Sequence, residues 1–88
     1  MPYYLAVYDI NVNRVGKMLK IFRRYMTWVQ NSVFEGDLTE AQLRKLQAEA
    51  TRLMKADEDS IIFYQFGAER YIERTVLGHE RGEPGRIL

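Results

Sequence analysis

Tyr3-Tyr4-Leu5-Ala6-Val7-Tyr8-Asp9-Ile10-Asn11-Val12-Asn13-Arg14 carries the chain from a strand through a polar turn into a basic helix. Tyr3, Leu5 and Val7 alternate with Tyr4, Ala6 and Tyr8, and this aromatic and β-branched content predicts a central strand buried largely on both faces. Asp9 to Asn13 then supplies the short polar side chains that favour turns and helix caps. From Val15 the apolar residues Met18, Leu19, Phe22, Tyr25 and Met26 fall three or four apart. Arg14, Lys17, Lys20 and Arg24 lie largely off that stripe, so one helix face packs and the other is basic.

Downstream, Trp28 to Asp37 reads as two short strands or one bulged strand, because Gln30, Asn31 and Ser32 interrupt its apolar positions. Thr39 and Gln42 form a capping box, and Leu38 with Leu43 fits a hydrophobic staple, which fixes the start of a second helix. Leu43, Leu46, Ala50, Leu53 and Met54 give that helix its packed stripe. After the polar turn Ala56–Ser60, Ile61–Phe66 predicts a second central strand. Glu69–Leu77 alternates less strictly, as an edge or exchanged strand does. Residues 1–78 thus form one domain and 79–88 a Gly- and Pro-containing tail. The predicted fold class is α+β: a ferredoxin-like β-α-β-β-α-β sandwich with an extra C-terminal strand. Two helices cover one sheet face, and the uncovered apolar face predicts a face-to-face homodimer.

Composition agrees with one small folded domain. Of the 88 residues, 47% are hydrophobic and 28% charged, the balance of a globular protein. A chain this short buries a modest share of its surface, so a partner chain helps its stability. The absence of cysteine excludes disulfides, thiolate metal sites and cysteine nucleophiles. No export signal and no membrane span is read, so the expected location is the cytoplasm and no membrane partner is expected. The net charge of +1 hides an asymmetry. Arg14, Lys17, Lys20, Arg23 and Arg24 form a run without an acid, and the rest of the chain carries eight basic against twelve acidic residues. A local positive field of this kind suits a polyanion, although a solvated helix face has the same composition.

The leading candidate for chemistry is Asp9, at the C-terminal end of a buried strand. A rigid strand end is a good platform for a metal-binding carboxylate, while capping the turn into the first helix is the plainer role. One carboxylate makes a poor metal site, but a two-fold dimer supplies a second Asp9, and two facing carboxylates with waters can hold one Mg²⁺. His79, the single histidine, falls in the tail, and Ser32 has no base nearby in sequence to activate it. Neither a phosphate loop nor a dinucleotide fingerprint is present. Tyr3, Tyr4, Tyr8, Trp28, Phe34, Phe63, Tyr64 and Phe66 offer a base-stacking sheet, but most of them read as core, and Ile61–Phe66 lacks the ribonucleoprotein consensus.

Four elements occur in fixed order: Tyr8-Asp9-Ile10, the basic helix from Arg14, Val29-Gln30-Asn31-Ser32-Val33-Phe34-Glu35-Gly36 with Leu38, and Asp59-Ser60-Ile61 through Tyr64. Together they resemble the CRISPR-associated Cas-two family, most distinctively in Gln30-x-Ser32-Val33-Phe34-Glu35. The pattern departs where a glycine often precedes the second strand, since Tyr25-Met26-Thr27 stands there. The resemblance implies a homodimer whose last strand joins the partner's sheet, and metal-dependent cleavage of RNA or DNA with Asp9 as metal ligand and catalytic residue. It also implies a central place between copies of a Cas-one integrase during spacer capture, with double-stranded DNA on the basic surface. Tyr8, Arg14, Lys17, Lys20, Arg23, Arg24 and Phe34 would then line or support the nucleic-acid surface. A catalytically silent DNA-binding scaffold shares every one of these motifs. A small-molecule-binding regulatory domain of the same fold would not need the acid-free basic helix.

Overall fold

In the computed structural model, which describes residues 2–67 and 72–78, the polar turn after the first strand folds as a helix cap. The Asn11 side chain accepts from the Asn13 N–H, and α1 (Val12–Arg23) begins three residues earlier than the apolar periodicity alone suggests. The first strand is β1 (Tyr3–Asp9), and β2 (Thr27–Gln30) and β3 (Val33–Asp37) follow α1. Next come α2 (Glu40–Leu53), β4 (Ser60–Phe66) and β5 (Ile72–Gly78). The expected tail 79–88, with His79, and the start of the expected last strand at 69–71 lie outside the described residues.

Among the described residues the strands form one antiparallel sheet in the order β2-β3-β1-β4-β5. Strand β1 is central, and the order β4-β1-β3-β2 with two helices is the ferredoxin-like arrangement extended by β5. Both readings of Trp28–Asp37 hold in part. Two strands meet at a turn in which Asn31 adopts φ +44°, a left-handed conformation that asparagine tolerates, and the register also shifts between Trp28 and Gln30. The predicted capping box is present: Thr39 Oγ1 accepts from the Gln42 N–H and Gln42 Oε1 accepts from the Thr39 N–H.

The parity of β1 divides the two faces of the sheet. Tyr4, Ala6 and Tyr8 are buried beneath the helices with Ile61 and Phe63 of β4 and Phe34 of β3. Phe22 of α1 inserts between Phe34 and Phe63, with ring centroids 5.2 and 6.0 Å away, and Tyr8 lies 5.9 Å from Phe34. The opposite face differs from the two-sided burial expected of β1. Leu5 and Val7 are half-buried and Tyr3 is exposed, beside Ile62, Tyr64, Phe66, Ile72 and Val76 at matching register positions. Phe66 and Ile72 are likewise exposed, so one chain leaves an open apolar face.

Strand β5 pairs with β4 of its own chain along its whole length. Gly78 closes that pairing with φ +83°, and a Cβ there would stand 2.3 Å from the Asp59 carbonyl oxygen and 2.6 Å from Met54 Cε. Gly78→Ala therefore meets backbone that cannot give way, in a conformation that itself costs a side-chain-bearing residue about 1–3 kcal/mol. Thermal unfolding of this variant is expected to show a lowered Tm, while Gly16→Ala, whose Cβ meets nothing within 4 Å, leaves Tm equal or higher.

Candidate metal and nucleic-acid site

The end of the sheet that carries Asp9 is organised by a carboxylate other than Asp9. Asp59, at the entrance to β4, is fully buried. It accepts from the Asn11 N–H at 2.9 Å, the Lys55 N–H at 2.8 Å, and Arg14 Nε and Nη2 at 2.7 and 3.0 Å. Four donors saturate its lone pairs, and three separate segments meet on it: the β1–α1 turn, the first turn of α1 and the chain leaving α2. The Arg14 guanidinium is the chief cause that holds the Asp59 carboxyl well below the usual carboxylate range. Arg14 also donates to Glu58 at 2.7 Å, and its side chain is only 13% exposed. The sequence counted Arg14 among the nucleic-acid contacts, but its guanidinium is occupied inside the protein and holds the turn instead.

Asp9 is the last residue of β1, exposed, opposite Ser60 and on the open face of the sheet. Through Asn11, two residues on, its segment is tied to Asp59. Among the described residues no group of three or more His, Cys, Asp or Glu gathers to hold a metal ion. The donor chemistry nevertheless fits a hard divalent cation. An exposed carboxylate on a rigid strand end offers oxygen ligands, and Mg²⁺ keeps several waters in most protein sites. Asp59 is no candidate ligand, because its oxygens are already taken.

The other sequence-derived residues separate into two groups. Lys17, Lys20 and Arg23 are exposed along α1. Arg24, just past the helix, is exposed and pairs with Glu49 of α2, which also accepts the Tyr25 hydroxyl. Tyr8 and Phe34 are core residues: Phe34 is fully buried, and the Tyr8 hydroxyl donates to the Asn31 carbonyl at 3.1 Å. They support the site from beneath and cannot stack on a base. Trp28, one of the eight aromatics of which most were expected in the core, is half-exposed on the edge strand β2. An isolated aromatic on a short strand between turns was the available signal for this. Among the described residues no helix is long and apolar enough to cross a membrane.

Fold and site together define a ferredoxin-like α+β domain with an exposed carboxylate at the end of its central strand and a basic first helix. Its sequence matches the family described as CRISPR associated protein Cas2 over residues 1–74. The protein named CRISPR-associated endoribonuclease Cas2 from Thermotoga maritima is 46% identical over 86 residues, covering 98% of this chain and 99% of that one. Its namesake from Dictyoglomus turgidum is 42% identical over 86 residues, with the same coverage. Among solved structures, one titled "Crystal structure of cas2" is 37% identical with a TM-score of 0.72, covering 99% of this chain and 98% of the other. Streptococcus pyogenes Cas2 is 32% identical with a TM-score of 0.68, over 74% of this chain and 86% of that one. The chain belongs to the CRISPR-associated Cas2 family.

The Asp59 pairing has a definite pH signature. A carboxyl whose pKa is depressed on folding stabilises the protein above its unfolded value, about 3.9, and that contribution is lost as pH falls toward the folded value. Acid unfolding of the wild type is thus expected to steepen below about pH 4. Asp59→Ala should lower stability at neutral pH by about 3 kcal/mol, the low end for breaking a buried pair because Arg14 retains Glu58. Denaturant melts of both proteins at several pH values should converge as the medium becomes acidic.

Proposed function

We propose that this protein is a nuclease subunit of a CRISPR system, acting as a homodimer that cleaves phosphodiester bonds of RNA or DNA with a divalent cation, Mg²⁺, held between two Asp9 carboxylates. The observation that carries this reading is the position of Asp9, exposed at the end of the central strand and on the open apolar face. The endoribonuclease names of the relatives support it as well.

Stacking the open faces of two copies buries Leu5, Val7, Ile62, Tyr64, Phe66 and Val76 against their equivalents. A two-fold axis running along β1 between the sheets keeps equivalent residues at the same height and would set Asp9 opposite the partner's Asp9 at one end of the interface. Packed sheets stand about 10 Å apart, a gap that two carboxylate side chains and a hydrated ion can span. The last strand would join the partner's sheet, using in the other chain the β4 edge that β5 occupies here.

When bound, the cation lowers the pKa of a water and polarises a phosphoryl oxygen. Asp9 holds it, and the Asp59–Arg14 pair fixes the turn that follows Asp9. Lys17, Lys20 and Arg23 bind phosphates along the exposed side of α1, contacts that carry no base preference. The same basic surface suits a second role, holding double-stranded DNA as the central dimer between copies of a Cas-one integrase, with the chemistry of that step in the partner. Arg14 and Arg24, each engaged with acidic side chains, are neutralised locally and leave the phosphate contacts to the other three cations.

Two experiments test the reading. Mg²⁺-dependent cleavage of single-stranded RNA and of duplex DNA should be lost in Asp9→Asn, with Tm and dimer mass unchanged. Retained cleavage in that variant contradicts the assignment. Duplex affinity should fall linearly on a log–log plot against salt, and replacing Lys17 and Lys20 with Gln should reduce that slope by about 0.9 for each phosphate no longer neutralised. Affinity that is flat across the salt titration contradicts the phosphate role of α1.

A further inference from the structure

We infer that Trp28, opposite Phe34 on the helix side of the sheet, is a stacking platform for an unpaired nucleobase, giving the basic surface of α1 a direct means of preferring single-stranded RNA or DNA over duplex. The inference rests on the nucleic-acid reading above and adds a binding residue to it.

Trp28 is the single tryptophan of the chain and is 50% exposed, beside Val29 at 43%, on an edge strand whose four residues all face solvent. Its ring is nevertheless held in place, because the indole Nε1–H donates to the Asn31 carbonyl oxygen at 3.0 Å. That same oxygen accepts the Tyr8 hydroxyl at 3.1 Å, so indole and phenol converge on one atom. The Tyr8 N–H donates to the Ser32 carbonyl at 3.0 Å, which puts the β2–β3 turn at the end of the sheet that carries Asp9, the next residue along β1. A cation stands within electrostatic reach of this junction: burial raises the Tyr8 phenol pKa and Arg23 on α1 opposes that rise.

A fixed, solvent-facing aromatic ring on a strand packed against a basic helix is the chemistry that single strands use. The ring takes the face of a base and the cation takes the adjoining phosphate, with little dependence on which base is present. In a duplex the base faces are already stacked on one another, so the duplex presents only phosphates to α1. Charge complementarity with the acid-free run Lys17, Lys20 and Arg23 favours a polyanionic strand as the occupant over a protein strand added to the β2 edge.

Because the chain has one indole, its emission reports this position directly. The dimer would be titrated with an oligouridylate, its deoxy counterpart, an abasic phosphodiester of equal length and a DNA duplex. Tryptophan emission and the anisotropy of the end-labelled strands would be followed together. The two base-bearing single strands are expected to quench emission and the abasic strand is not. Trp28→Ala should weaken the base-bearing strands about ten-fold while leaving abasic and duplex affinities nearly unchanged, and Trp28→Phe should retain most of the binding. The relative affinities of the ribose and deoxyribose strands name the polymer, and either order agrees with stacking. Single strands that bind with unchanged emission, equal quenching by the abasic strand, or a Trp28→Ala variant that loses duplex affinity equally would each overturn the stacking role while leaving nucleic-acid binding intact. A flat anisotropy with every strand would overturn the nucleic-acid reading itself.

Discussion

The contact on which the rest of the structure depends is the pair formed by Asp59 and Arg14, residues separated by 45 positions in sequence. With four donors converging on one buried carboxylate, the turn after β1, the start of α1 and the exit from α2 are held in a single relative position. The Asp59 backbone also sets the close of β5, since its carbonyl oxygen occupies the space where a side chain at residue 78 would stand. Burying such a pair is not a cheap source of stability, because desolvation offsets much of the attraction. Its yield is geometric: the loop that follows Asp9 cannot drift without breaking charged hydrogen bonds in a dry environment.

That rigidity gives meaning to the two faces of the sheet. Beneath the helices, Tyr8, Phe22, Phe34 and Phe63 pack as one aromatic cluster and fix the height of β1. On the other side the same strand offers Leu5 and Val7, then ends in Asp9. Apolar surface that invites a second copy and a carboxylate that one chain cannot turn into a good cation site lie on the same face. Association would answer both needs at once, and this coincidence is the physical reason for placing the chemistry between two chains rather than inside one.

Much of this was legible in the sequence. The strand at Tyr3–Tyr8 and the Thr39–Gln42 capping box are local signals that appear in the structure where they are expected, whereas the helical spacing from Met18 to Met26 runs past the end of α1 at Arg23. Asp9 stood out because a carboxylate ending an apolar strand is conspicuous. Asp59 did not, because Ala56–Ser60 has the composition of a solvated turn and only a distant partner, Arg14, makes one of its acids a core residue. For the same reason Arg14 was counted with the surface cations. Trp28 is as hydrophobic as the aromatics of the core, yet the sheet order makes β2 an edge and leaves the ring half in water. Local patterns reveal which elements form; they do not reveal which polar and aromatic residues the tertiary fold turns inward or outward.

The central claim is that two Asp9 carboxylates share one cation across a two-fold interface, and the most direct measurement is the stoichiometry of Mg²⁺ binding by calorimetry on protein of known oligomeric mass. One ion per two chains, lost in Asp9→Asn without loss of the dimer, is the predicted result. One ion per chain, or binding that survives the substitution, would contradict it.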